Sequence, residues 1–182
     1  MAFHHVAFAT KDPQSNFDFY TKVMGFDLVK TVTAPTPEGG FSKHFFYSTG
    51  RNAAGEQGMI AFWDIHVDSL AGYKSNLNES AGLPWWANHF AFDAPTYADI
   101  ERHRERWRSY GHTVLEVDHE FCVSIYIRDP DGNTVEFCQT VRDFTPDEKA
   151  HAIELLNDPN PPMEKTFGAK MWQPEGEPLV IA

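Results

Sequence analysis

Two short stretches of this chain share one pattern. His5-Val6-Ala7-Phe8 and His89-Phe90-Ala91-Phe92 both read His-x-Ala-Phe, 84 positions apart (89 − 5 = 84). Successive side chains of an extended backbone point to opposite faces. Each stretch therefore sets a histidine and an alanine on one face and its phenylalanines on the other. Small residues beside an imidazole leave space above the strand, as a ligand cavity requires. A third residue belongs with them. In Thr134-Val135-Glu136-Phe137-Cys138 the alternation sets Glu136 and Cys138 opposite Val135 and Phe137. An acid on the inner face of a strand is costly unless it is paired or bound to metal. Two imidazoles and one carboxylate hold a divalent ion and leave coordination positions open, which suits Fe(II) and also Mn(II), Zn(II) or Ni(II). His5, His89 and Glu136 are therefore the expected ligands. His4 competes with His5 but stands outside the repeated register.

These residues need strands to carry them, and the pattern supplies strands twice. Residues 2–9 read as a strand. Asp12-Pro13 reads as an N-cap with proline in the first helical position, and Gly25 ends that helix. Strands follow over 26–34, 43–49 and 58–64, with a loop over 35–40. After a weakly periodic connector over 65–85 the order recurs. A strand spans 88–93, Thr96 with Asp99 resembles a capping pair, and Ile100, His103, Trp107 and Tyr110 form a helical stripe closed by Gly111. Strands then span 112–118, 121–127 and 133–139. The fold expected is α+β, two βαβββ modules (residues 1–64 and 86–141, the connector between them) making one domain over 1–141. Residues 142–182 form an appendage. Thr145-Pro146-Asp147-Glu148 starts a short helix there, and the remaining tail is expected to pack across the domain or onto a partner.

The bulk numbers exclude several partners. The chain has 182 residues and a formal net charge of −11, which repels nucleic acid and anionic membranes. No apolar run approaches the ~20 residues of a spanning helix, and no secretory signal is read at the N-terminus. Cys122 and Cys138 do not make a disulfide framework, so reduced thiols and a cytoplasmic location are expected.

The doubled module, the two His-x-Ala-Phe strands and Asp129-Pro130-Asp131-Gly132-Asn133-Thr134-Val135-Glu136 resemble the vicinal oxygen chelate superfamily, over roughly residues 2–140. That superfamily includes glyoxalase I, fosfomycin- and bleomycin-resistance proteins and type I extradiol dioxygenases. The resemblance implies a cupped mixed sheet with the metal where the two modules meet. A longer pattern is similar to the extradiol ring-cleavage motif: Val117 and His119, Ile125-Tyr126, Asp129-Pro130, Gly132 and Glu136. It implies that His119 and Tyr126 assist a bound catecholate and oxygen while Glu136 holds iron. The sequence departs from that family at Gly58, where a further catalytic histidine is expected. His44 on the neighbouring strand is the substitute candidate, ahead of His66. Trp63, Phe46 and Phe137 are the expected walls for an aromatic substrate.

The reading that follows is an Fe(II)-dependent extradiol-type dioxygenase, taking a small catechol-like aromatic and O2, and a homodimer by superfamily analogy. The alternatives are a glyoxalase-like or fosfomycin-resistance-like lyase or transferase, and a non-enzymatic protein that binds an aromatic ligand. A fourth metal ligand of the glyoxalase kind is missing from Met59-Ile60-Ala61-Phe62-Trp63. The arginines between Arg102 and Arg108 are expected on a solvated helix face.

Overall fold

A computed structural model describes residues 3–51, 55, 57–163 and 168–176. The first module runs β1 (Val6–Ala9), α1 (Pro13–Asp18), β2 (Asp27–Pro35), β3 (Phe41–Arg51) and β4 (Gln57–His66). Asp12 caps α1 by accepting the Ser15 N–H at 3.0 Å, and its carboxyl sits below the ordinary range because of the Ser15 bonds. The helix widens into a π-turn over Phe19–Val23. Gly25 then leaves it at φ 79°, a left-handed conformation that glycine takes without strain. The second module runs β5 (His89–Asp93), α3 (Tyr97–Ser109), β6 (Val114–Asp118), β7 (Cys122–Arg128) and β8 (Thr134–Thr140), and a short α2 (Leu77–Ala81) lies in the connector. Thr96 and Asp99 close the predicted capping box on α3.

Each module makes its own sheet. The first has strand order β1-β4-β3-β2 and the second β5-β8-β7-β6-β9, in which β9 (Gly168–Trp172) comes from the tail. In each, the strand that follows the histidine pairs parallel with the last strand of its module (Ala7 beside Ala61, Ala91 beside Glu136), and the other pairs are antiparallel. The phenylalanine faces turn to one shared core. Phe62, Phe45 and Tyr47 of the first sheet, Phe137, Ile125 and Val135 of the second, and Tyr20, Ile100 and Trp107 of the helices belong to one buried cluster. Phe8 and Phe90 meet within it at 4.1 Å between ring centroids. The histidine faces are therefore the faces turned away from this core.

The appendage departs from expectation in one respect. α4 (Pro146–Asn157) forms with its capping box and buries no residue. The tail, however, adds a strand, β9 (Gly168–Trp172), to the edge of the second sheet beside β6. The arginines of α3 hold it. Arg104 and Arg108 are buried rather than solvated. Arg104 donates to Glu116 at 2.8 Å and stacks over Trp172, whose indole N–H donates to the same carboxylate oxygen at 2.9 Å. Arg108 donates to the Gln173 carbonyl at 2.7 Å. Helical periodicity places these arginines on α3 but carries no trace of a strand 60 residues later that covers them. Among the described residues no helix is long and apolar enough to cross a membrane.

Candidate metal and substrate site

Strand register assembles half of the expected site on the second sheet. Tyr126 lies opposite Glu136, Ala91 lies on the other side of Glu136, and His89 leads into that strand. Glu136 is 4% exposed. The His89 Nε2 lies 3.2 Å from the Glu136 Oε2. The other ring nitrogen, Nδ1, lies 3.3 Å from the Trp86 carbonyl. A proton on Nδ1 donated to that carbonyl leaves the Nε2 lone pair aimed at a carboxylate oxygen. Two acceptors converging at that distance suit adjacent ligands of one divalent ion, which stand about 3 Å apart when each is about 2.1 Å from it. The donor set therefore fits a metal.

The assisting pair stands beside it. His119, held in the β6–β7 turn by its N–H to the Cys122 carbonyl, places Nε2 3.1 Å from the Tyr126 hydroxyl. Burial pushes the Tyr126 phenol well above its ordinary range, and the Glu136 charge adds to that. Tyr126 thus keeps its proton and is equipped to donate a hydrogen bond. Cys138 shares this face, and burial pushes its thiol up to about 12, which makes it a poor nucleophile.

An apolar cavity of about 290 Å³ opens here, lined by His89, His119 and Tyr126 with Trp85, Trp86 and Val117 among its walls. The connector fixes the tryptophans. Thr134 donates to the Trp85 carbonyl at 2.7 Å, and the buried Asn78 amide donates to the carbonyls of Trp85 and Asn88 at 2.8 and 2.9 Å. Weak periodicity in the connector hid this role, since Asn78 works through hydrogen bonds and not through an apolar stripe.

His5 stands elsewhere. It precedes β1 on the histidine face of the first sheet, its ring 5.4 Å from Phe46 and 6.1 Å from His44, its Nδ1 2.8 Å from Nδ1 of His4. His44 stacks on Trp63 at 3.6 Å, and its buried Nε2 has no hydrogen-bond partner among the described residues. Burial, then the His5 charge, lowers its basicity. So His5, His44, Phe46 and Trp63 form one aromatic group, and His89, Glu136, His119 and Tyr126 form another. Among the described residues no three His, Cys, Asp or Glu side chains converge as one metal group. Two expectations need correction. Phe137 is 3% exposed in the core, stacked on His103 at 3.6 Å, because it alternates with Glu136 and faces the other way; it is no substrate wall. His66 pairs with Asp64 at 2.9 Å and stacks on Phe41, away from both groups. At Gly58 an added Cβ would meet the Thr49 hydroxyl at 2.9 Å, so a side chain there requires Thr49 to shift.

The family model described as the Glyoxalase/Bleomycin resistance protein/Dioxygenase superfamily matches residues 2–137. The chain belongs to this superfamily. Its members are typically metalloenzymes that bind one of several divalent ions. A protein named lactoylglutathione lyase from Pseudomonas aeruginosa is 27% identical over 153 residues, covering 75% of this chain and 81% of the relative. A Bacillus subtilis protein named "Putative ring-cleaving dioxygenase MhqA" is 29% identical over 112 residues, covering 57% of this chain. Those residues are 34% of that relative, so the chain spans about a third of its length. The solved glyoxylase/bleomycin resistance protein/dioxygenase domain from Frankia sp. EAN1pec shares the fold, with a TM-score of 0.52 at 15% identity over 77% of this chain and 98% of that one.

Proposed function

We propose that this protein is an Fe(II)-dependent extradiol-type dioxygenase acting on a small catechol-like aromatic. The observation that carries the reading is the grouping of His89, Glu136, Tyr126 and His119 on one sheet face beside an apolar cavity. In the reaction, the ring bond next to the two hydroxyls breaks and both atoms of O2 enter the product. Glu136 and His89 would hold the iron, which when bound supplies a Lewis-acidic centre with room for the catechol oxygens. Trp85 and Trp86 wall the ring and exclude water. The His119–Tyr126 pair holds a mobile proton at the cavity wall, where a catechol hydroxyl must lose one and a developing oxyanion must be met by a donor.

His5 is the third ligand in this reading, and a homodimer brings it in. The aromatic group of His5, Phe46 and Trp63 on the first sheet covers the His89–Glu136 face of a second copy, so that the site is shared. A lyase reading has one observation in its favour, the longer coverage of the lactoylglutathione lyase relative. Ala61 and Trp63, the β4 residues on the histidine face, offer it no fourth ligand.

The test is oxygen uptake with a panel of catechols after anaerobic Fe(II) loading. Turnover with one O2 consumed per ring supports the proposal. Iron retained without uptake on any catechol, together with oxygen-independent turnover of a thiol with an epoxide or 2-oxoaldehyde, replaces it with the lyase reading.

A further inference from the structure

Arg128 ends β7 on the same face as Tyr126 and Glu136, two residues past the tyrosine. It is the one arginine among the described residues with neither an ion pair nor a hydrogen bond to another described residue. Every other one is satisfied: Arg51 by the Gly55 carbonyl, Arg102 by Asp99, Arg104 by Glu116, Arg106 by the Val23 carbonyl, Arg108 by Glu105 and Arg142 by Glu148. In a chain of net charge −11, an arginine kept clear of carboxylates is conspicuous. Its position is defined. The guanidinium lies 5.6 Å from the centre of the Trp85 ring, and its strand neighbour Thr134 pins Trp85 through the backbone carbonyl.

Arg128 lines a second cavity, of about 400 Å³, together with His112, Thr113 and Met171. This cavity shares Trp85, Leu115 and Tyr126 with the cavity at His89. The two are therefore neighbouring compartments of one groove, divided by the residues they share. One compartment is apolar and aromatic and ends at the metal-ligand pair. The other holds an unneutralised planar cation, whose fork matches a carboxylate in two parallel hydrogen bonds.

We propose that the substrate is an aromatic ring bearing a carboxylate side chain, the ring lying between Trp85 and His89 and the carboxylate held by Arg128 in the adjoining compartment. This rests on the ring-cleavage reading above for what happens to the ring, but not for how the acid binds. Arg128 here determines specificity, since it selects the side chain and touches no reacting atom. The tail strand β9 shares in that selection, because Met171 lines the compartment.

The test compares a catechol carrying a carboxyethyl side chain with its methyl ester, which removes the negative charge at the cost of one added methyl group. Binding to the anaerobic Fe(II) protein is read by quenching of tryptophan fluorescence, and turnover by oxygen uptake. The parent protein should prefer the acid by roughly tenfold or more, the scale of one charge-assisted contact. Arg128→Gln should bring the ratio of acid to ester close to one, chiefly through KM and Kd, and Arg128→Lys should fall between. The charge-retaining variant guards against a folding defect, since both replacements remove the guanidinium fork. An equal preference in the parent, or a ratio that Arg128→Gln does not move, overturns the assignment. Acid-selective binding without oxygen uptake sinks the dioxygenase reading and leaves this one standing. Uptake with no preference for the acid does the reverse.

Discussion

A carboxylate that is 4% exposed and faces one histidine is a heavy commitment for a small protein. Glu136 is most simply stabilised by a bound cation, so its removal should be felt first as metal loss. Protein purified without added metal, assayed for metal content, should carry close to one divalent ion per site. Glu136→Ala and His89→Ala should lower this at least tenfold. In the parent, a chelator should lower the melting temperature, because binding to the native state alone adds stability. In Glu136→Ala the chelator should make no difference. His103 offers a second prediction that concerns the fold alone. Burial pulls its imidazole down to about 4 from an ordinary value near 6.5, with the Arg102 charge acting the same way and Asp99 opposing. The folded protein resists protonating it while the unfolded chain does not. The contribution is therefore intact above about pH 6.5 and is lost as pH falls toward 4, with a limiting slope of about 1.4 kcal/mol per pH unit. Asp129 acts in the opposite sense, since burial raises its carboxyl to about 6 and its contribution falls as pH rises toward that value. The two must be separated by difference. His103→Phe keeps a ring on Phe137 and should flatten the acid limb of urea midpoints measured from pH 4.5 to 7, relative to the parent.

Elements with a strong local signature were legible in the chain. Both His-x-Ala-Phe strands, the capping box at Thr96 and Asp99, and the helix-ending Gly25 and Gly111 announce themselves through nearest neighbours, and each is found. Alternation about Glu136 already set Phe137 on the opposite face, and the expectation of Phe137 as a substrate wall ran against it; the pairing of Tyr126 opposite Glu136 is a matter of strand register between β7 and β8. The same period-two argument, continued two residues past Tyr126, reaches Arg128, so that residue was within reach of the sequence. β9 was not, because a strand of five residues with exposed side chains lacks a face to alternate. What places it is chemistry distant in sequence, the Glu116 carboxylate accepting from both Arg104 and the Trp172 indole. Trp172→Ala should therefore cost about 2 kcal/mol in denaturant unfolding, the loss of a partly buried aromatic with its cation–π contact and hydrogen bond. Glu116→Gln should cost less, since it keeps an acceptor for one donor while giving up the ion pair. Because Met171 of β9 lines the acid compartment, Trp172→Ala should also raise KM for the carboxylate-bearing catechol more than for its ester.

At the scale of the whole molecule, the sequence repeat and the assembled site part company. Repetition predicts that two equivalent histidines meet at one metal, and within the chain the described residues group His89 with Glu136 but leave His5 beside His44 and Phe46. One-dimensional symmetry specifies which faces carry ligands, and the shared core confirms that both phenylalanine faces point inward. It does not specify which copy of one module meets which copy of the other, because the same complementary faces pair within a chain or between chains. Sharing between copies makes a prediction that mutation of single residues cannot. His5→Ala alone and His89→Ala alone should each lose metal and activity. Mixed, dissociated in mild denaturant and reassembled, half of the dimers pair one variant chain with the other at random. In such a dimer the intact His5 of one chain meets the intact His89 and Glu136 of the other, giving one whole site of two. Oxygen uptake should then return to about a quarter of the parent value per chain, since half the dimers carry half their sites. His89→Ala mixed with Glu136→Ala should return nothing, because those two ligands come from the same chain and no pairing reunites them. Recovery in neither mixture places all three ligands within one chain and removes the shared site.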